Sequence, residues 1–91
     1  MKDNKKKWYV YIVRCLDNTL YTGIARNLAQ RIEQHNSNKG AKYTRSRGPV
    51  TLVYAEEQHN RSEASKREYQ IKQMSLRHKT VLIGQENLPL T

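Results

Sequence analysis

Cysteine occurs once in these 91 residues and phenylalanine not at all, and 8 acidic residues face 17 Lys and Arg. A single cysteine excludes an intramolecular disulfide and any Cys-rich zinc site. No segment comes near the roughly 20 consecutive apolar residues that a membrane-spanning helix needs. A basic start followed by the fairly apolar residues 8–16 imitates a secretory signal. Arg14 interrupts that run, however, and no small-residue cleavage site follows it. The expectation is a cytoplasmic protein with no membrane partner. A P-loop, a dinucleotide fingerprint and an HExxH pair are all missing, and His35, His59 and His78 lack metal-cluster spacing. Cys15 is expected to be a small packed residue rather than a nucleophile.

What remains is basic and aromatic. The length allows one domain, which buries only about 60–65 % of its unfolded surface. Six tyrosines and one tryptophan argue for a folded globule over a disordered tail. The net charge of +9 points to a polyanionic partner, and nucleic acid is the common one. Charge is placed unevenly. Residues 1–7 carry four lysines against Asp3 and read as a flexible basic arm. Lys39, Lys42, Arg45 and Arg47 form a second cluster with no acid among them. Tyr43 lies inside it. Cations interleaved with an aromatic suit a phosphate backbone and an unstacked base; the alternative is a solvated loop.

Secondary structure is legible from pattern. Residues 8–14 are β-branched and aromatic and apolar on both faces, which predicts a central strand. Asp17-Asn18-Thr19 signals a turn, and residues 20–24 return as an antiparallel strand. Gly23 near its end predicts a bulge or a close backbone approach. Asn27 is placed to cap a helix over 28–37, with Gly40 just past its end. Residues 51–56 form a third strand. Ser62 is placed to cap a second helix, and Ser75 a third that runs to about residue 83. Residues 84–91 read as a frayed tail. The order β-β-α-β-α-α predicts an α+β single domain: a three-stranded antiparallel sheet flanked by helices.

Both of the first two helices carry polar residues on their apolar stripes. At about 100° per residue, Leu28, Ile32 and His35 fall together with Arg31 beside them. Ala64, Ile71 and Ser75 share a face that includes Glu68. A carboxylate on a buried stripe needs a partner. One reading is a structural Arg31–Glu68 salt bridge. The other is a phosphodiester site of Arg31, His35 and Glu68 with tyrosines from the strands.

At this point the sequence resembles a known family. Tyr9-Val10-Tyr11, nine residues, then Tyr21-Thr22-Gly23 resembles the paired tripeptides of the GIY-YIG nucleases, with Tyr9 in place of the first glycine. Asn27-Leu28 with Arg31 and His35 looks like the family's first helix. Ser62-Glu63-Ala64, Glu68 and Ile71-Lys72 resemble its glutamate-bearing helix. Gly40 to Arg45, with Gly48-Pro49, is similar to small stand-alone bacterial members. The likeness covers about residues 8–83.

The resemblance implies a metal-dependent DNA endonuclease, structure-specific in repair or recombination. A noncatalytic nucleic-acid-binding module is the alternative, and an RNA-directed role a weaker third. The resemblance further implies that Glu68 holds Mg²⁺ or Mn²⁺ and that Arg31 binds the scissile phosphate. It gives Tyr11 the activation of water, His35 the acceptance or relay of the proton and Tyr21 the orientation of water or phosphate, and leaves open which of the three is the general base. Lys72 is a candidate phosphate contact. All are expected to converge on one open face. A protein partner supplying specificity is left open.

Overall fold

The computed structural model describes residues 7–86; the rest of the expected arm and tail lies outside the described residues. Strand β1 (Trp8–Arg14) pairs with β2 (Leu20–Ala25) on one side and β3 (Thr51–Gln58) on the other. Both pairings are antiparallel, and β1 is central, as its two apolar faces require. Helix α1 (Leu28–Asn36) and a single 3₁₀ turn (Lys42–Thr44) lie between β2 and β3. Helices α2 (Arg61–Lys72) and α3 (Leu76–Glu86) follow.

Period-two alternation along β1 divides the interior into two cores. Val10 and Ile12 pack with Ala64 and Ile71 of α2. Tyr11 and Val13 face the opposite way, with Cys15, Val50 and the half-buried Leu28 and Ile32 of α1. The register places Tyr11 opposite Gly23 on one side and Ala55 on the other. The irregularity is in β3 rather than at Gly23. Ile12 pairs with Tyr54 but Val13 with Leu52, so Val53 is the extra residue. Val53 and Tyr54 accordingly both join the α2-side core. Gly23 realises the other expectation, a close backbone approach.

Side-chain caps set the helix starts. Asn27 Oδ1 accepts from the Gln30 amide at 3.0 Å, and Ser75 Oγ from the His78 amide at 3.1 Å. The second helix is capped by Asn60, whose Oδ1 accepts from the Glu63 amide at 2.9 Å, and not by Ser62. Ser75 therefore lies beyond α2, and α3 continues to Glu86 rather than ending near residue 83. α1 ends through Asn38 in the left-handed region (φ 64°), with the Lys39 amide donating back to the Gln34 carbonyl at 2.8 Å. Gly40 is thus not the helix terminator.

A polar clamp ties α2 to β3. The Tyr54 hydroxyl donates to Glu56, which also accepts from Arg67 Nε at 2.8 Å. Burial, then the Glu56 carboxylate, pushes the Tyr54 phenol up to about 12. This clamp helps hold the helix that carries Glu68.

Candidate active site

The α1-side core ends in a group of rings rather than in aliphatic packing. Tyr11 and His35 are each only 1 % exposed, and the Tyr11 hydroxyl meets His35 Nε2 at 2.8 Å. Tyr21 closes the triangle, with its ring centroid 6.5 Å from Tyr11 and 5.5 Å from His35. His35 arrives here because it falls on the inner stripe of α1, one turn beyond Arg31. It is the one fully buried residue of that helix.

Two glycines make the approach possible. A Cβ on Gly23 would sit 2.6 Å from the Tyr11 hydroxyl and 3.1 Å from the Tyr21 ring. A Cβ on Gly40 would overlap His35 Nδ1 and lie 2.8 Å from the His35 Cα. Both are closer than any real Cβ contact, so each glycine is there for space. The loop that Gly40 admits carries Thr44, which is completely buried and meets His35 Nδ1 at 2.7 Å.

Charged groups surround the rings. Arg31 is half-buried, and its Nη1 donates to Gln34 Oε1 at 2.8 Å. Its charge also acts on the Tyr11 phenol. Burial raises the Tyr11 phenol above 10; Arg31 opposes the rise, while Tyr21 and Glu68 add to it. Burial lowers the His35 imidazole below 6.5, and the Arg31 charge lowers it further. Tyr11 and His35 are therefore both neutral at pH 7.

Glu68 is within electrostatic reach of Tyr11, but its ion pair is with Lys72, one turn on, at 3.1 Å. The Arg31–Glu68 bridge, one of the two readings of the helix stripes, is not among the ion pairs of the described residues. Lys72 Nζ lies 6.0 Å from the Tyr21 ring centroid, so α2 delivers both Glu68 and Lys72 to the tyrosines. The face is less open than expected. Tyr11 and His35 are sealed, while Tyr21, Arg31 and Glu68 remain partly accessible.

The basic loop divides into two groups. Lys39, Lys42 and Arg45 are exposed. Arg47 is engaged within the protein. Its Nε pairs with Asp17 at 3.2 Å, its Nη1 donates to the Tyr43 carbonyl at 2.8 Å, and its guanidinium lies 4.1 Å from the Tyr43 ring centroid. The Tyr43 ring in turn stacks on Tyr21 at 5.9 Å, inclined 20°. Arg47 and Tyr43 thus buttress Tyr21. Sequence reasoning gave Thr44 no role of its own, read Gly40 only as the residue past the helix end and Asp17 only as part of a turn. The one available signal was that an imidazole on an apolar stripe needs partners for both of its nitrogens.

The donor set fits a hard cation with a hydration shell. Among the described residues there is no cluster of three His, Cys, Asp or Glu that could enclose a metal. Glu68 offers one carboxylate, its side chain 23 % exposed, with a single cationic neighbour. A lone carboxylate oxygen suits Mg²⁺ or Mn²⁺, which keep their waters, and not zinc or copper.

This fold and these residues define a catalytic-domain class. The model for the GIY-YIG catalytic domain matches residues 7–80, and the chain belongs to the GIY-YIG family, a nuclease superfamily. Its relatives include the UPF0213 protein DP2720 of Desulfotalea psychrophila, 60 % identical over 81 residues, covering 88 % of this chain and 74 % of that protein. The UPF0213 protein SH2523 of Staphylococcus haemolyticus is 54 % identical over 77 residues, covering 85 % and 94 %. The solution structure of the UPF0213 protein BH0048 from Bacillus halodurans superposes with a TM-score of 0.60 at 42 % identity, covering 91 % of this chain and 88 % of that one. Among the described residues no helix is long and apolar enough to cross a membrane.

Two outcomes follow from this packing. Gly40→Ala must displace His35 or its loop and should cost about 1–3 kcal/mol in thermal or urea unfolding. Gly84→Ala, in α3 with nothing within 4 Å of the new Cβ, should instead stabilise by about 0.5–1 kcal/mol. The second outcome concerns acid. His35 is neutral when folded, with a pKa below the 6.5 of the unfolded chain. Between those two values the unfolded state binds the extra proton, so this contribution is complete above pH 6.5 and is lost as pH falls below it. Melting temperature measured against pH should decline below about 6.5, and the decline should be shallower in His35→Gln.

Proposed function

We propose that this protein is a metal-dependent endonuclease that hydrolyses phosphodiester bonds in DNA. The family resemblance extends the reading to structure-specific cleavage in repair or recombination. The observation that carries it is the buried Tyr11–His35 hydrogen bond, on whose phenol the Arg31 charge also acts. A neutral tyrosine with a basic nitrogen behind it and a cation in front is arranged for proton transfer at a phosphate.

The roles follow from position. Arg31 binds the scissile phosphate and the charge that grows on it. The Tyr11 oxygen is sealed from solvent in the free protein, so the attacking water is one that enters with the substrate, and Tyr11 takes its proton as its own proton passes to His35 Nε2. The water oxygen bonds to phosphorus, and the bond to the departing 3′ oxygen breaks with its electron pair. His35, neutral at pH 7, is able to receive that proton. Tyr21, held by Tyr43 and flanked by Lys72, orients water or phosphate. Glu68 would hold Mg²⁺ or Mn²⁺, which supplies Lewis-acid stabilisation of the charge on the leaving oxygen.

DNA is favoured as the polyanion by the net charge and by the exposed Lys39, Lys42 and Arg45 around the site. Arg45 also lines a groove of about 360 Å³ with Asn36, Asn38 and Ser46, next to His35. A noncatalytic binding module would need neither the carboxylate nor the sealed tyrosine–histidine pair.

Glu68→Gln should abolish Mg²⁺-dependent cleavage, by about 100-fold or more, while DNA affinity stays equal or rises. The ion pair of Glu68 with Lys72 is a half-exposed i,i+4 contact worth about 0.3–0.5 kcal/mol, so the melting temperature should barely move. Assays on branched, flapped, single-stranded and duplex DNA test both the chemistry and the substrate. Wild-type cutting by a folded Glu68→Gln would refute the catalytic role.

Binding should be largely electrostatic. Neutralising one phosphate-binding cation among Lys39, Lys42 and Arg45 should lower the slope of log affinity against log salt by about 0.9 for duplex DNA. An unchanged slope in the triple Lys/Arg→Gln variant would mean that this loop is only solvated.

A further inference from the structure

We propose that Thr44 is a positioning residue that fixes the tautomer of His35, and so the direction in which a proton can leave Tyr11. The proposal rests on the nuclease reading for its catalytic consequence, and on hydrogen-bond counting for the tautomer itself.

Four groups stand in line: the Ala41 carbonyl, the Thr44 hydroxyl, the His35 imidazole and the Tyr11 hydroxyl. Thr44 Oγ1 lies 3.0 Å from the Ala41 carbonyl oxygen, which can only accept. It lies 2.7 Å from His35 Nδ1. His35 Nε2 lies 2.8 Å from the Tyr11 oxygen. Three protons are available, one on each hydroxyl and one on the neutral ring.

If the ring proton is on Nδ1, every proton has an acceptor. Tyr11 donates to Nε2, Nδ1–H donates to Thr44, and Thr44 donates to Ala41. If the ring proton is on Nε2, Thr44 donates to Nδ1 and Nε2–H donates to Tyr11. The Tyr11 proton then has no acceptor among these four groups. Arg31, whose charge also acts on that phenol, carries only donors and cannot accept its proton. Tyr11 is 1 % exposed, so water does not take up the deficit. A buried hydroxyl proton without a partner costs about 1–3 kcal/mol. The first arrangement is therefore the one the site adopts.

The consequence is directional. With Nδ1 already protonated and donating to Thr44, Nε2 presents its lone pair to Tyr11 and accepts the phenol proton during water attack. The resulting imidazolium keeps its Nδ1–H bond to the threonine oxygen. With the tautomer reversed, Nε2–H would point at Tyr11 and block that transfer. Gly40 belongs to the same device, because it lets the loop bring Thr44 within 2.7 Å of the ring.

The test compares Thr44→Val, which keeps the shape and removes the acceptor, with Thr44→Ser, which keeps the hydroxyl. Long-range ¹⁵N–¹H correlation NMR reads the His35 tautomer without any need for cleavage. The expected result is Nδ1–H in the wild type and in Thr44→Ser, with a mixed or Nε2–H ring in Thr44→Val. In the nuclease assay Thr44→Val should be about 10–100-fold slower with a displaced pH profile, and Thr44→Ser should recover most of the rate. An Nε2–H ring in the wild type overturns the proposal, and that measurement decides it even if Thr44→Val fails to fold. An unchanged tautomer in folded Thr44→Val overturns it as well. Wild-type protein that cuts no substrate while the tautomer follows Thr44 would remove the nuclease reading and leave the tautomer assignment standing.

Discussion

An imidazole buried at 1 % exposure must have both of its nitrogens hydrogen-bonded, and the α1 half of this molecule is arranged around that requirement. Tyr11 satisfies one nitrogen from the central strand, and Thr44 satisfies the other from the loop after α1. Each contact needs a glycine opposite it: Gly23 clears room for the Tyr11 hydroxyl and Gly40 for the ring of His35. The 3₁₀ turn at Lys42–Thr44 and the αL residue Asn38 bring the loop back over the helix end. Removing any one of these features leaves a polar atom unpaired in a core too small to absorb the penalty.

The other half of the molecule carries the charge. Helix α2 packs Ala64 and Ile71 against β1 from the opposite face, and the Tyr54–Glu56–Arg67 clamp ties it to β3. Glu68 and Lys72 are thereby held near the tyrosines although their helix packs on the other core. The electrostatic result is a neutral tyrosine and a neutral histidine, the tyrosine also acted on by the Arg31 and Glu68 charges. Burial sets both protonation states. The Arg31 charge acts on both groups, opposing the rise at Tyr11 and deepening the fall at His35. A neutral tyrosine–histidine pair has no net charge to repel a polyanion, and the exposed lysines outside it add attraction.

Much of this was legible in the chain because it is written in local pattern. The central place of β1 follows from seven residues apolar on both faces. Asn27 and Ser75 announce their helices by the chemistry of an unpaired amide. The tripeptides and the first-helix spacing singled out Tyr11, Tyr21 and His35, whose rings the structure brings together. The helical wheel correctly placed His35 and Ile71 on inner stripes. It could not give distances between helices, and so the carboxylate expected opposite Arg31 pairs with Lys72 instead. Charge counting likewise treated Arg47 as one of four loop cations, whereas it is bound to Asp17 and Tyr43.

Sequence alone determined the elements, their order and the strand that sits in the middle, because propensity, capping and periodicity act over a few neighbouring positions. The tertiary structure decided which residues touch. Thr44 lies nine positions from His35, and Asp17 thirty from Arg47. Contacts across such separations depend on how the loop after α1 closes, on the register of two strand pairings and on the space two glycines leave. No local rule contains those quantities. They emerge only when the buried polar groups of the whole chain have to be satisfied at once.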